Sequence, residues 1–252
     1  MAVAASRHDR ATIASLAVLA GILATLLHEG VGHGVTAWLR GDLPTELTSN
    51  HLSAEIDDRL VSAGGTIVNL LVGGAALALV GRIRDNTWRY GVWLLAALNL
   101  LPGAGYFLFS GIIGVGDWRA VIDGLPHQAL LRVGMALGGA GLYTLVVWRL
   151  ARAVRDYAPD DLSLWIVPYL AAALVACAAG ALDPLGAQLF LMSTVPATFG
   201  GSSGLAWGAN FLRGATGERS RIVARRPAIW IAAAVIGVAY VAIVGPGVTL
   251  GP

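Results

Sequence analysis

The stretch ATIASLAVLAGILATLLHEGVGHGVTAWL (11–39) decides how the rest of the chain is read. Its first half is an unbroken apolar run, and at 1.5 Å per residue about 20 residues cross the roughly 30 Å of a bilayer's hydrocarbon. Its second half carries His28, Glu29 and His33. Ionisable groups inside a span are costly and mark a functional site by default. The stretch therefore predicts a membrane helix over about 11–38 with a polar cluster near its end. It is too long for a signal peptide and has no convincing small-x-small cleavage site, so it is expected to stay in the mature protein.

Runs of similar length follow at 61–81, 90–111, 129–148, 162–182, 185–207 and 228–245. The run at 185–207 contains Pro196 and GGSSG (200–204) and reads as a broken or re-entrant segment, which membranes tolerate where protein or water covers the backbone. The polar stretches at about 41–60 and 209–227 are too short to bury a core. The expected fold is all-α, a polytopic membrane helix bundle of six to seven transmembrane helices forming one domain over 1–252.

Composition agrees: 56% of the 252 residues are hydrophobic, 13% are charged, and the mean hydropathy is +0.70. Sparse charge excludes disorder, and 33 glycines without a triplet period exclude collagen. The lone Cys177 excludes an internal disulfide framework. All 17 basic residues are arginines, scattered between apolar runs rather than gathered into a patch, which argues against a nucleic-acid partner. With seven spans, thirteen of these arginines, including Arg7, Arg10, Arg213 and Arg219, fall on one side. That bias predicts a cytoplasmic N-terminus and, since arginine without lysine fits a GC-rich bacterium, a bacterial cytoplasmic membrane. The opposite side receives Arg40, Arg59 and Arg119, together with the acidic Asp42, Glu46, Glu55, Asp57 and Asp58; Arg132 falls inside the fourth span.

HEGVGHG (28–34) is one residue longer than the HExxH zinc motif, in which two imidazoles four apart share a helix face and the glutamate serves as base. Five apart, the histidines stand about 140° around a regular helix, too far to grip one ion. A π-bulge would bring them together, with Gly30 and Gly32 placed to allow it. The bland alternative is a Glu29–His33 hydrogen bond near the interface. A zinc site needs a third protein ligand and one open position. Asp117, just beyond the outward end of the third span, is the first candidate; Asp123, His127 and Asp183 are weaker ones. Asp117 also suits a plain helix cap or turn after Gly114 and Gly116. Gly64, Gly73, Gly134 and Gly138 read as close helix packing.

Three separated features resemble the site-2 protease family of intramembrane zinc metalloproteases. HEGVGHGVTAWL (28–39) resembles its zinc motif with one residue added; SAGGTIVNLL (62–71) resembles its glycine- and asparagine-containing span; NLLP (99–102) with Asp117 resembles its segment leading to a ligand aspartate. The resemblance implies a protease core over 11–127, with additional helices over 128–252. It further implies Zn2+ on His28, His33 and Asp117, Glu29 as the base activating water, and Asn69 and Asn99 holding the substrate. The family's DG pair has its counterpart either at Asp117 or at Asp123–Gly124. The implied site lies near the cytosolic face, whereas the arginines place the cluster near the outer one. The expected activity is a zinc metalloendopeptidase acting on membrane-embedded or membrane-bound protein segments within the lipid bilayer. The alternative is a non-catalytic membrane protein, a metal-ion transporter or inactive protease relative, using the same cluster.

Overall fold

The computed structural model describes residues 8–56, 58–157, 161–212 and 221–251. Arg7, Asp57, Arg213 and Arg219 lie outside the described residues. Among the described residues six helices are long and apolar enough to cross a membrane. They are α1 (Arg10–Leu39), α2 (Arg59–Val80), α3 (Asn86–Ile113) and, after a short α4 (Asp117–Ile122), α5 (Gln128–Val154), α6 (Ser163–Gly180) and α7 (Pro227–Val244). The chain is an all-α membrane bundle. Its outer helices show the lipid-facing signature of exposed large apolar side chains, among them Leu71, Leu137, Leu174 and Val238.

The first three long helices begin at aspartates that close the polar edge of each apolar run. Asp9 accepts from the Thr12 N–H, Asp58 from that of Leu60 and Asp85 from that of Trp88, at 2.7–3.0 Å, which satisfies donors left free in a first turn.

The expected sixth span is not one regular helix. It runs through Gly186–Leu189, the π-helical Phe190–Thr194 and Pro196–Gly201, a turn, then Gly204–Trp207 and Gly208–Leu212. Thr194 lies against Gly180, Phe199 against Tyr169, and Gly208 against Trp165, so the segment retraces α6 toward its start. Pro196 brings no N–H and crowds the preceding turn, and the wide turns sit on either side of it. At the second break Tyr143 of α5 repairs the backbone: its hydroxyl donates to the Gly201 carbonyl at 2.7 Å and accepts from the Gly204 N–H at 2.8 Å.

Two ends of the bundle differ in charge. The start of α1, the α2–α3 and α5–α6 connections and the start of α7 lie together, tied by Asp9 N–H to the Val223 carbonyl and Ala224 N–H to Thr87 Oγ1. That end holds Arg10, Arg82, Arg84, Arg89, Arg149, Arg152, Arg155, Arg221, Arg225 and Arg226. The other end holds Arg40, Arg59, Arg119 and Arg132. Arg132 donates to the Gly111 and Ile112 carbonyls at 3.2 and 2.8 Å, capping α3 rather than sitting free in a span. A three-stranded antiparallel sheet, β2 (Leu52–Ser53), β1 (Glu46–Leu47) and β3 (Val248–Thr249), covers this second end.

Close packing uses only some of the expected glycines. A Cβ on Gly73 would overlap Leu100, and one on Gly64 would overlap the Gly32 carbonyl. Gly134 and Gly138 face open space, and the α3–α5 contact rests instead on Gly111 and Gly139.

Candidate metal centre

The extra residue of HEGVGHG is absorbed by the backbone: Leu27–Val35 is π-helical. An i to i+5 repeat stacks His33 over His28, and their Nε2 atoms stand 3.2 Å apart. The reason for the wide turn lies on α2. Gly32 abuts the backbone of Gly65, and a Cβ on Gly65 would strike both imidazoles, at 2.5 Å from His28 Cε1 and 2.6 Å from His33 Nε2. Gly30 has nothing within 4 Å, so the turn depends on Gly32 and not on both glycines of the motif.

Each ring is held from behind. His33 Nδ1 lies 2.7 Å from the Val61 carbonyl, an acceptor only, so that nitrogen carries the proton and donates. A neutral ring then points a lone pair from Nε2 at His28 Nε2. His28 Nδ1 lies 3.1 Å from the Asn69 side-chain amide. The atom placed there is Nδ2, which donates to Nδ1; turned end for end, the amide would instead accept from Nδ1–H and leave Nε2 as the free lone pair, the arrangement by which outer groups fix the tautomer of a metal-binding histidine.

Asp117 completes the cluster. α3 ends in a turn through Gly114 and Gly116, with φ of 77° and 85°, which side chains rarely tolerate. The turn starts α4 with Asp117 facing back into the bundle, its Oδ2 3.3 Å from His28 Nε2 and 3.6 Å from His33 Nε2. Oδ2 is buried and has no well-aligned hydrogen-bond partner in the protein. Three ligands around one tetrahedral zinc, at roughly 2.0–2.1 Å from it, are about 3.3 Å from one another. The spacing of His28, His33 and Asp117 fits that group, and with the Asn69 amide turned to accept from His28 two lone pairs and a carboxylate oxygen converge on one point. Glu29 lies beside them, buried, its Oε1 4.0 Å from His28 Nε2. His28, Glu29 and His33 offer ligand atoms within 4.8 Å of one another.

The other candidates lie elsewhere. Asp123 is exposed and pairs with Arg119 at 2.5 Å. Asp183 accepts from Asn50 Nδ2 and the Leu185 N–H, both at 3.0 Å, and lies 3.4 Å from His51. His127 precedes α5 with φ of 59°. The two asparagines have different neighbours. Asn69 serves the back of His28. Asn99 is fully buried, donates to the Leu95 carbonyl of its own helix at 2.8 Å and packs near Gly73, while its Oδ1 has no partner in the protein.

Tyr106 was not anticipated. Its ring stacks on His28, 5.1 Å between centroids and 13° from parallel. It stands one turn past Pro102 in NLLPGAGY, and that spacing was the available signal.

Two cavities meet at the cluster. The larger, about 690 Å³, touches Glu29, His33 and Asp117 and is walled mostly by apolar groups such as Leu52, Phe109 and Ile113. The smaller, about 120 Å³, touches His28 and Glu29 from the other side and is bordered by Thr25, Ser49, Asn69 and Thr194. Glu29, Asn50, Pro102, Tyr106, Ser193 and Ala197 border both. Comparison with protein-family models, curated proteins and solved structures returned no match to this chain.

Proposed function

We propose that the chain is an intramembrane zinc metalloendopeptidase of the site-2 protease type, hydrolysing peptide bonds of membrane-embedded or membrane-bound segments. The carrying observation is the convergence of His28 Nε2, His33 Nε2 and Asp117 Oδ2 beside the carboxylate of Glu29, at the wall of an apolar cavity within a membrane bundle. A zinc ion held there would polarise a substrate carbonyl and lower the pKa of water.

The chain's own groups divide the remaining work. Glu29, not needed as a third ligand, takes the proton from water at its carboxylate and passes it to the leaving nitrogen. Asn69 and the Val61 carbonyl keep both imidazoles turned the right way. Tyr106 clamps the His28 ring. The cavity's apolar wall takes up an uncharged segment, and β2, at the free edge of the sheet with Leu52 in the wall, offers backbone groups to an extended strand. A transporter would need polar groups continuing to the other end, where Leu94, Ala97, Leu101 and Trp165 are buried in one apolar cluster; this favours hydrolysis. The arginine distribution supports a bacterial cytoplasmic membrane with a cytoplasmic N-terminus, which puts the centre toward the outer face.

The test is elemental analysis of purified protein beside a cleavage assay. About one zinc per chain is expected, lost in His33→Ala and Asp117→Ala. Glu29→Gln should keep the zinc and lose roughly 10²–10⁴-fold in rate. Wild-type protein that takes up no metal when zinc is supplied overturns the proposal.

A further inference from the structure

We propose that the smaller cavity is a hydration chamber: ordered water held there reaches Glu29 from the side opposite to the substrate. A site built inside a bilayer must obtain water while an apolar segment fills its main opening, and the two cavities separate these needs. The larger is mostly apolar. The smaller carries hydroxyls and amides from four elements: Thr25 of α1, Ser49 and Asn50 beside the sheet, Asn69 of α2, and Ser193, Thr194 and Ser202 of the broken segment.

Two of these groups point to an occupant. Asn69 Oδ1 and Ser49 Oγ are buried and have no hydrogen-bond partner in the protein, and Asn69 as a whole is 3% exposed. If the Asn69 amide turns its oxygen to His28, its nitrogen becomes the unpartnered group, so one atom of that side chain needs a partner in either orientation. A volume of 120 Å³ has room for about four waters at ~30 Å³ each, and the lining supplies the two to four polar partners each one needs. Ile22, Leu98 and Ala172 complete the lining with apolar groups, so the polar partners for water lie on the side that carries Glu29 and Asn69.

Hydration of the chamber stands on this geometry alone; use of its water in cleavage rests on the hydrolytic reading above. In that step one water is consumed. Its oxygen bonds to the carbonyl carbon, the C–N bond breaks with its electron pair going to nitrogen, one water proton passes through Glu29 to that nitrogen, and the other leaves with the new carboxyl group.

The experiment uses the full chain with zinc in lipid bilayers. Water-edited NMR should show magnetisation reaching Thr194 and Ser49 much faster than Ala97, which is fully buried in the apolar core. Ala176→Leu, which fills the chamber from α6, should slow that transfer. It should also lower kcat on fluorescein-labelled casein at least tenfold, with KM and zinc content unchanged. Thr194 and Ser49 as dry as Ala97 overturn the chamber. A filled, dry chamber with unchanged kcat overturns its role in supply. A wild-type chain that binds zinc but cleaves nothing counts against the hydrolytic reading, while the water transfer still decides whether the chamber is wet.

Discussion

The two ends of the bundle are built on opposite principles. At the end that holds the N-terminus, Tyr90, Trp93, Tyr157 and Trp165 fill the space between α3, α5 and α6. Three of their polar atoms close on backbone carbonyls, Tyr90 Oη on Leu164 at 2.6 Å, Trp93 Nε1 on Leu150 at 3.0 Å and Tyr157 Oη on Asn86 at 2.5 Å, although Arg89 Nε and Ser163 Oγ at this end lack partners. At the other end helices widen into π turns, glycines replace side chains, two cavities open, and Ser49 Oγ, Asn69 Oδ1 and Asp117 Oδ2 lack partners. The first end follows the rules of a packed core. The second departs from them where chemistry needs room, and the first holds the helices in register while it does so.

The sharpest way to break the comparison is to make a hole in the packed end. Trp93→Ala should cost about 3–5 kcal/mol, read as a lower midpoint of unfolding in mixed detergent micelles. Asp117→Asn, at the open end, should shift the same midpoint by less than about 1 kcal/mol in metal-free protein, because site groups are held for function and not for stability. Equal losses in the two variants would mean that the ends do not divide the work.

Next in size is the support behind the metal ligands. Asn69→Leu removes the amide at the back of His28 while keeping an apolar filling of similar volume. Loss of such an outer-shell partner typically lowers metal affinity 10–100-fold, about 1.4–2.7 kcal/mol, measurable by competition with a zinc chelator. Unchanged affinity would show that the Val61 carbonyl and the Tyr106 stack orient the rings without it.

Smaller still is the repair of the broken segment. Tyr143→Phe leaves the Gly201 carbonyl and the Gly204 N–H without their shared hydroxyl, at a cost of about 1–2 kcal/mol. Faster amide exchange confined to 200–204 is the expected readout. Exchange that quickens equally along α5 and α6 would place Tyr143 in the global core instead.

How far each part could be read in advance follows from where its cause lies. The long helices are legible because an apolar run of bilayer length is a local property, and the wide turn is legible because five-residue spacing of His28 and His33 makes sense on no regular helix. Pro196 and GGSSG announce a break, but the return of that segment along α6, and Tyr143 as the group that satisfies it, depend on residues about 60 positions away. The asparagines depend on distant neighbours in the same way. Asn69 and Asn99 look alike in sequence, and only the neighbours of each decide that one holds a histidine and the other its own helix. Gly65 stands beside Gly64 in an ordinary small-residue run, and its role under the two imidazoles is visible only once α2 meets the π turn.

The packed end has one exception at its rim. His8, just before α1 and 9% exposed, accepts the Val223 N–H on Nδ1 at 3.2 Å and so ties the start of α1 to the segment leading into α7. Burial pushes its pKa below the ordinary 6.5, against the opposing pull of Asp161. An imidazole that is harder to protonate in the folded chain than in the unfolded one gives stability that is complete above pH 6.5 and is lost as pH falls through the window below it. Protonation also removes the lone pair that the Val223 N–H uses. Protection of the Val223 amide, corrected for intrinsic exchange, should therefore fall between pH 7.5 and 5.5, while amides packed against Trp93 stay unchanged. His8→Gln keeps an acceptor that does not titrate and should flatten the response. If the variant shows the same pH slope as wild type, the loosening comes from carboxylates such as Asp85 and Asp161, and the rim is held by charge rather than by this one neutral ring.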